Sequence, residues 1–310
     1  QAADDAETGE QLETFETDGF VDSSPSVGHG AIVVGSGDRT LYALTEGGEP
    51  ISVDASVVDG ESPGGADGGD DSVDEADSAS GALDTDQGWS LYRGNLARTG
   101  AISGSGPETL DQQWTYDPDD TLGQVTVHDG TAYVTSADGT VAALSAETGT
   151  REWVFEADDF VTAAPTVSDG VVYVGDWDGV FDALDAGTGE QLWSFDDTGS
   201  FASFSSSAAV RDGVVYVGCD DENAYALDAE TGELVWTYDA WGEVASSPAV
   251  AHGLVYVGAD DLLALDIESG ERRWAFEFDG FGAVEASPAV VGDTVFVGTN
   301  ERAVHAVDAE

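Results

Sequence analysis

Few side chains in this sequence have the type and spacing to do chemistry. Cys219 is the one cysteine, so it has no partner for an intramolecular disulfide, and no Cys or His spacing suits a metal. It follows the apolar run Val214-Val215-Tyr216-Val217-Gly218, in a slot filled elsewhere by Asp176, Ala259 and Thr299, and reads as a small turn filler. His29 and His252 each precede Gly where other stretches carry Asp, as in His252-Gly253 against Asp169-Gly170, and they read as turn residues. His128 and His305 have no carboxylate–histidine partner that the sequence displays. No phosphate-binding loop or dinucleotide fingerprint occurs. With 63 acidic residues, none stands out as a general base. The run Asp67 to Glu75 offers Asp67, Asp70, Asp71 and Asp74 as calcium ligands. It lacks the alternating oxygen spacing, central Gly and closing Glu of an EF-hand loop. A solvated linker is the first reading and loose cation binding the second.

The better binding candidates are aromatic. Phe20, Phe160, Phe201, Phe204, Trp241 and Phe281 fall in connections between apolar stretches, at about one ring per connection. Rings facing a concavity suit peptide edges or sugar faces, although the same rings could pack between neighbouring structural units. Asp22, Glu243 and Glu285 in those connections favour a cationic or hydrated partner over an anion.

The elements that carry these residues repeat. A small-residue stretch, an apolar strand, a turn and a second strand ending in Gly recur, with equivalent valines at 34, 134, 174, 217, 257 and 297. One unit shows the pattern: Thr166-Val167 and Val171-Val172-Tyr173-Val174 flank Asp169-Gly170, a pair suited to the positive φ of a tight hairpin. Phe181-Asp182-Ala183-Leu184 follows, then Thr188-Gly189-Glu190 turns the chain into Gln191-Leu192-Trp193-Ser194-Phe195. Side chains alternate at period two with no helical stripe. Four short strands every ~40–45 residues predict an all-β fold, a β-propeller, with a β-sandwich as the alternative.

Gly213-Val214-Val215-Tyr216-Val217-Gly218, Tyr225-Ala226-Leu227-Asp228 and Thr231-Gly232-Glu233-Leu234-Val235-Trp236 make a motif set that resembles the pyrroloquinoline-quinone-like (PQQ-like) propeller repeat. The resemblance spans residues 8–44 and 89–310. It implies that Trp114, Trp153, Trp193, Trp236 and Trp274 lie on outermost strands and dock on the Thr-Gly-Glu turn of a neighbouring blade. The family includes quinone-dependent dehydrogenases and non-catalytic scaffolds of the BamB type, so the resemblance specifies fold more than activity. Its dehydrogenases need calcium, a catalytic Asp and in many cases a vicinal Cys pair, which a lone Cys219 cannot supply. We therefore expect no cofactor, PQQ with Ca²⁺ belonging only to the dehydrogenase alternative.

Counting outer strands gives six four-stranded blades. The sixth outer strand is Leu12-Glu13-Thr14-Phe15 after Thr8-Gly9-Glu10, while the chain stops at Asp308-Ala309-Glu310, just before the corresponding turn. The N-terminal strand is thus expected to close the ring, leaving no exposed edge. The same strand docked on a neighbouring molecule would build a filament or surface layer. Residues 1–44 supply that strand and a first blade, 45–88 an acidic Gly/Ser-rich insertion expected to be disordered, and 89–310 the remaining blades. The segment Trp89 to Gly100, with Arg93 and Arg98, resembles one that usually precedes a first blade. Its place after a blade fits circular permutation or descent of residues 1–44 from an upstream propeller. It reads as a structural clasp, with a ligand-binding Arg pair as the alternative.

Composition bounds the partners. The formal net charge is −55, and all eight cations are Arg. Phosphate backbones and anionic membrane surfaces would be repelled, which excludes nucleic acid. Yet 41% hydrophobic content, with 8 Trp, 9 Tyr and 12 Phe, supports a sizeable core. Such self-repulsion is tolerable where the Debye length falls to about 3 Å near 1 M salt. The pattern fits an extreme halophile, read as a halophilic archaeon with monovalent salt cations at its acidic surface. The start at Gln1 and the absence of Met suggest a secreted or cell-surface protein whose signal peptide has been removed. The function expected from the sequence is a non-catalytic scaffold for a protein partner or for self-association.

Overall fold

The computed structural model describes residues 122–200, 202–278, 284, 286–300, 302–309 and residue 116. It also describes, as backbone strands alone, Gln11–Glu16, Ser26–Gly28, Ala31–Gly35, Leu41–Thr45 and Gly88–Trp89. Every regular element among them is a β-strand, and every sheet is antiparallel. The Trp193 sheet runs Thr166–Ser168, Val171–Gly175, Phe181–Asp185, Gln191–Phe195. The Trp236 sheet runs Ala209–Arg211, Val214–Gly218, Asn223–Asp228, Leu234–Asp239. The Trp274 sheet runs Ala249–Ala251, Leu254–Gly258, Leu262–Asp266, Arg272–Phe276. Ala289–Val291, Thr294–Thr299 and Ala303–Asp308 form a terminal sheet whose fourth strand is Gln11–Glu16, paired antiparallel with Ala303–Asp308.

The Trp153 sheet departs from the expected four strands. To Leu122–His128, Thr131–Ser136, Thr140–Ser145 and Arg151–Glu156 it adds Gly88–Trp89, with Trp89 opposite Val127. The start of the segment read as a clasp therefore pairs with the backbone of an innermost strand, using hydrogen-bonding groups that would otherwise form an edge. Ser26–Gly28, Ala31–Gly35 and Leu41–Thr45 form a three-stranded sheet. Trp114, the residue expected on its outer strand, lies outside the described residues, as do the 46–87 segment with Asp67, Asp70, Asp71 and Asp74, and Arg93 and Arg98.

Four of the described hairpins between first and second strands use the turn that an Asp-Gly or His-Gly pair demands, while the terminal sheet turns at Gly292-Asp293 with positive φ at Gly292. Asp129-Gly130, Asp169-Gly170, Asp212-Gly213 and His252-Gly253 all have positive φ at both residues. His252 adopts this conformation at φ 52°, and its Nε2 lies 2.8 Å from the Gly292 carbonyl of the next sheet.

Sheets stack face to face through a repeated device. Tyr173 and Trp193 of one sheet both donate to the carbonyl of Ala229 in the next, at 3.4 and 3.0 Å. Tyr133 with Trp153 do the same to Ala186, and Tyr216 with Trp236 to Ile267. The indole then lies on a glycine: a Cβ built on Gly189, Gly232 or Gly270 would come within 2.6–2.7 Å of Trp153, Trp193 or Trp236 ring atoms. A second link lies at the entry to the innermost strands, where the amides of Ala164, Ser207 and Ser247 donate to Ser207, Ser247 and Ser287 of successive sheets. This belt explains why the repeat opens on small residues.

Candidate functional site

In a four-stranded meander the first-to-second and third-to-fourth connections share one end of the sheet. The second-to-third turns and the exits to the next sheet share the other. At this second end, called here the connection end, exit and turn touch. The amide of Trp177 donates to the carbonyl of Phe160, and that of Asp220 to Ser203. Gly242 approaches Asp260 closely enough that a Cβ would sit 2.9 Å from its carboxylate. The described aromatic candidates Phe160, Phe204 and Trp241 therefore belong to one end of their sheets, but they do not share one role.

Phe160 is 45% exposed and Trp241 is 79% exposed. Phe204 is a correction: its exposure is 0%, in the core between the Trp193 and Trp236 sheets. Its rings of contact are Phe181 and Tyr225, and its Cβ lies over Gly175, where a side chain would clash at 2.3 Å. Val244 covers Gly218 and Val284 covers Gly258 in the same way. Phe204 is thus a plug of the strand-ending Gly, and its exit connection holds the three extra residues of the 43-residue step from Val174 to Val217. Phe20, Phe201 and Phe281 lie outside the described residues.

The sequence reading missed Trp177. It projects from the turn after Val171–Gly175, is 47% exposed, and meets Phe160 edge-on at 5.6 Å between ring centroids. Its Nε1 donates to Thr162 Oγ1 at 3.0 Å. An available signal was its slot: the aligned position in the next unit is the polar residue Asp220.

Residues 82–211 and 202–310 match the protein family described as outer membrane protein assembly factor BamB. The chain belongs to this family. No curated protein matches it. Among solved structures it is similar to quinohemoprotein alcohol dehydrogenase from Comamonas testosteroni, with 20% identity over 70% of this chain and 47% of that one, at a TM-score of 0.60. It is also similar to BamB from Moraxella catarrhalis, with 18% identity over 93% of this chain and 69% of that one, at a TM-score of 0.51. The chain spans about half the length of the dehydrogenase, and at these identities the likeness is one of fold. It is a propeller-repeat likeness shared by a BamB-family protein and an enzyme.

Within this BamB-family chain the connection end is acidic. Connections 157–165, 196–208 and 240–248 and turns 176–180, 219–222 and 259–261 contain no Arg, Lys or His, while they carry Asp158, Asp159, Asp178, Asp196, Asp197, Asp220, Glu243 and Asp260 among others. Arg151, Arg211, Arg272 and Arg273 sit near the opposite, hairpin end; Arg302, in a turn of the terminal sheet, is at the connection end. Beneath the Phe160–Trp177 pair two carboxylates are buried. Asp176 uses Oδ1 to accept from the amides of Asp178 and Val180, and its Oδ2 has no partner among the described residues. Asp182 accepts from Gln191 Nε2 at 2.7 Å. Burial pushes both carboxyls above the usual range; hydrogen bonds from Gln191 and Ser194 oppose the shift at Asp182.

Cys219 is enclosed between the Trp193 and Trp236 sheets, and burial pushes its thiol up to about 12, so it is neither a thiolate nor able to cover a ligand. Among the described residues no three His, Cys, Asp or Glu side chains are placed to hold a metal ion.

Proposed function

We propose that this protein is a non-catalytic β-propeller scaffold, secreted or at the cell surface in a high-salt habitat, that binds a protein partner through its connection end. In this reading six blades form the ring, and the pairing of Gln11–Glu16 with Ala303–Asp308 closes it. The observation that carries the reading is Trp241. A large indole exposed at 79%, on a backbone with φ of 61°, costs stability twice, through apolar hydration and through left-handed strain of roughly 1–2 kcal/mol. No described packing contact offsets those costs. Exposed aromatic anchors on an otherwise polar surface are the usual makings of a binding hot spot. The match to the BamB family supports a protein partner over a small substrate.

The test is site-specific photocrosslinking in high salt, with the crosslinking residue at position 177 or 241 and, as controls, at 192 or 235 on outer strands. A defined adduct from the first two positions and none from the controls supports the scaffold. Adducts from the controls alone, or dye-linked oxidation of alcohols or sugars after adding PQQ and Ca²⁺, would overturn it.

A further inference from the structure

The aromatic rings of the connection end are each flanked by carboxylates, and this pairing specifies a ligand chemistry. At the first station Phe160 and Trp177 meet edge-on, with two half-exposed rings. Asp159 Oδ1 accepts the Phe160 amide at 2.7 Å, which holds that carboxylate beside the ring, and the exposed Asp178 follows Trp177 directly. The Trp177 Nε1 proton is already engaged by Thr162, so the indole offers a π face and not a donor. At the second station the Trp241 amide donates to Asp239 Oδ1 at 3.1 Å, and Asp260 packs against Gly242. Rings with anions beside them form an environment for an organic cation. The connections and turns that carry Asp159, Asp178 and Asp260 contain no Arg, Lys or His.

We propose that the connection end recognises an arginine-bearing extended segment of the partner protein, with guanidinium groups stacked on Trp177 and Trp241. The proposal rests on the scaffold reading and names its partner's chemistry. Arginine is favoured over lysine because its planar, weakly hydrated group stacks on a ring and pairs with a carboxylate at the same time. It is also favoured by salt. Attraction across the acidic surface is screened beyond about 3 Å near 1 M, so only cations in ring and carboxylate contact retain affinity. The two stations lie at the junction of the Trp153 and Trp193 sheets and at the junction of the Trp236 and Trp274 sheets, so a segment engaging both must be extended and carry separated cations.

The test uses the full chain in high salt and three fluorescein-labelled peptides of equal length, bearing spaced Arg, spaced Lys or spaced Glu, read by anisotropy. Binding of the Arg peptide is expected to exceed that of the Lys peptide. Trp177→Ala and Trp241→Ala should each weaken it roughly threefold to thirtyfold, the range of cation–π contributions. Leu192→Ala, on an exposed outer strand, should leave affinity unchanged, and Trp241→Phe should restore most of the loss. Equal affinity for Arg and Lys peptides that is indifferent to both tryptophans would overturn the proposal, as would no binding at all. Failure here is separable from failure of the scaffold reading. A partner crosslinked at position 241 through a segment without basic residues sinks the cationic inference alone. Arg-peptide binding with no crosslinked partner sinks the scaffold and leaves the station chemistry standing.

Discussion

The docking of each outer-strand tryptophan on a glycine can be tested with two glycines that differ in one respect. Gly213 and Gly232 have φ of 78° and 72°, so replacing either with Ala incurs the left-handed cost of roughly 1–2 kcal/mol. A Cβ on Gly213 meets nothing within 4 Å, whereas one on Gly232 would lie 2.7 Å from Cδ2 and Cε3 of Trp193. Overpacking of that kind adds about 1–3 kcal/mol, because the indole is pinned by its bond to Ala229 and cannot slide away. Gly232→Ala should therefore be less stable than Gly213→Ala by about 1–3 kcal/mol. Urea titration followed by circular dichroism is the suitable assay, since an uncharged denaturant leaves ionic strength fixed. In a Trp193→Ala background the excess should vanish, because the ring that Cβ strikes is gone. Equal destabilisation by the two glycine variants, or an excess that survives Trp193→Ala, would refute the docking account.

Three further outcomes follow from particular residues. Trp274 Nε1 has no partner among the described residues, while Trp193 Nε1 donates to Ala229; Trp193→Phe should thus cost about 0.5–1.5 kcal/mol more than Trp274→Phe, and equal losses in urea titrations would contradict the difference. Asp182 has a folded-state pKa above its unfolded value, so its burial penalty is full at neutral pH and fades as pH falls through the folded value towards the ordinary carboxylate range. Asp182→Asn should accordingly raise the thermal midpoint at pH 7 and lose that advantage near pH 4, and a gain that grows on acidification would refute the burial argument. Phe15 and Val304 are register partners, so a Phe15→Cys, Val304→Cys pair should oxidise within one chain; disulfide-linked ladders on a gel would favour strand exchange between molecules.

Much of the scaffold was legible because it depends on local chemistry repeated many times. Asp169-Gly170 and its counterparts announce the hairpin turns, and the spacing of Trp153, Trp193, Trp236 and Trp274 announces the outer strands. The site was legible only in part. Phe204 and Phe160 look alike in sequence, and what separates them is which residue lands over the strand-ending Gly, a contact across 29 residues for Gly175 and Phe204. Trp177 went unnoticed because a turn tryptophan gains meaning only when the preceding sheet brings Phe160 beside it. The serine belt was visible as small residues, but its purpose appears only when Ser207 and Ser247 are adjacent in space, 40 residues apart in sequence. The fifth strand, Gly88–Trp89, has no local signal, since two residues are too few to show a period.

Hydrogen exchange in high salt, with and without the bound Arg peptide, tests the central claim that the connection end is the binding face. The account predicts added protection in residues 158–162, 176–179 and 240–243, with the hairpins at 129–130, 169–170 and 212–213 unchanged. Protection confined to those hairpins or to the outer strands would contradict it.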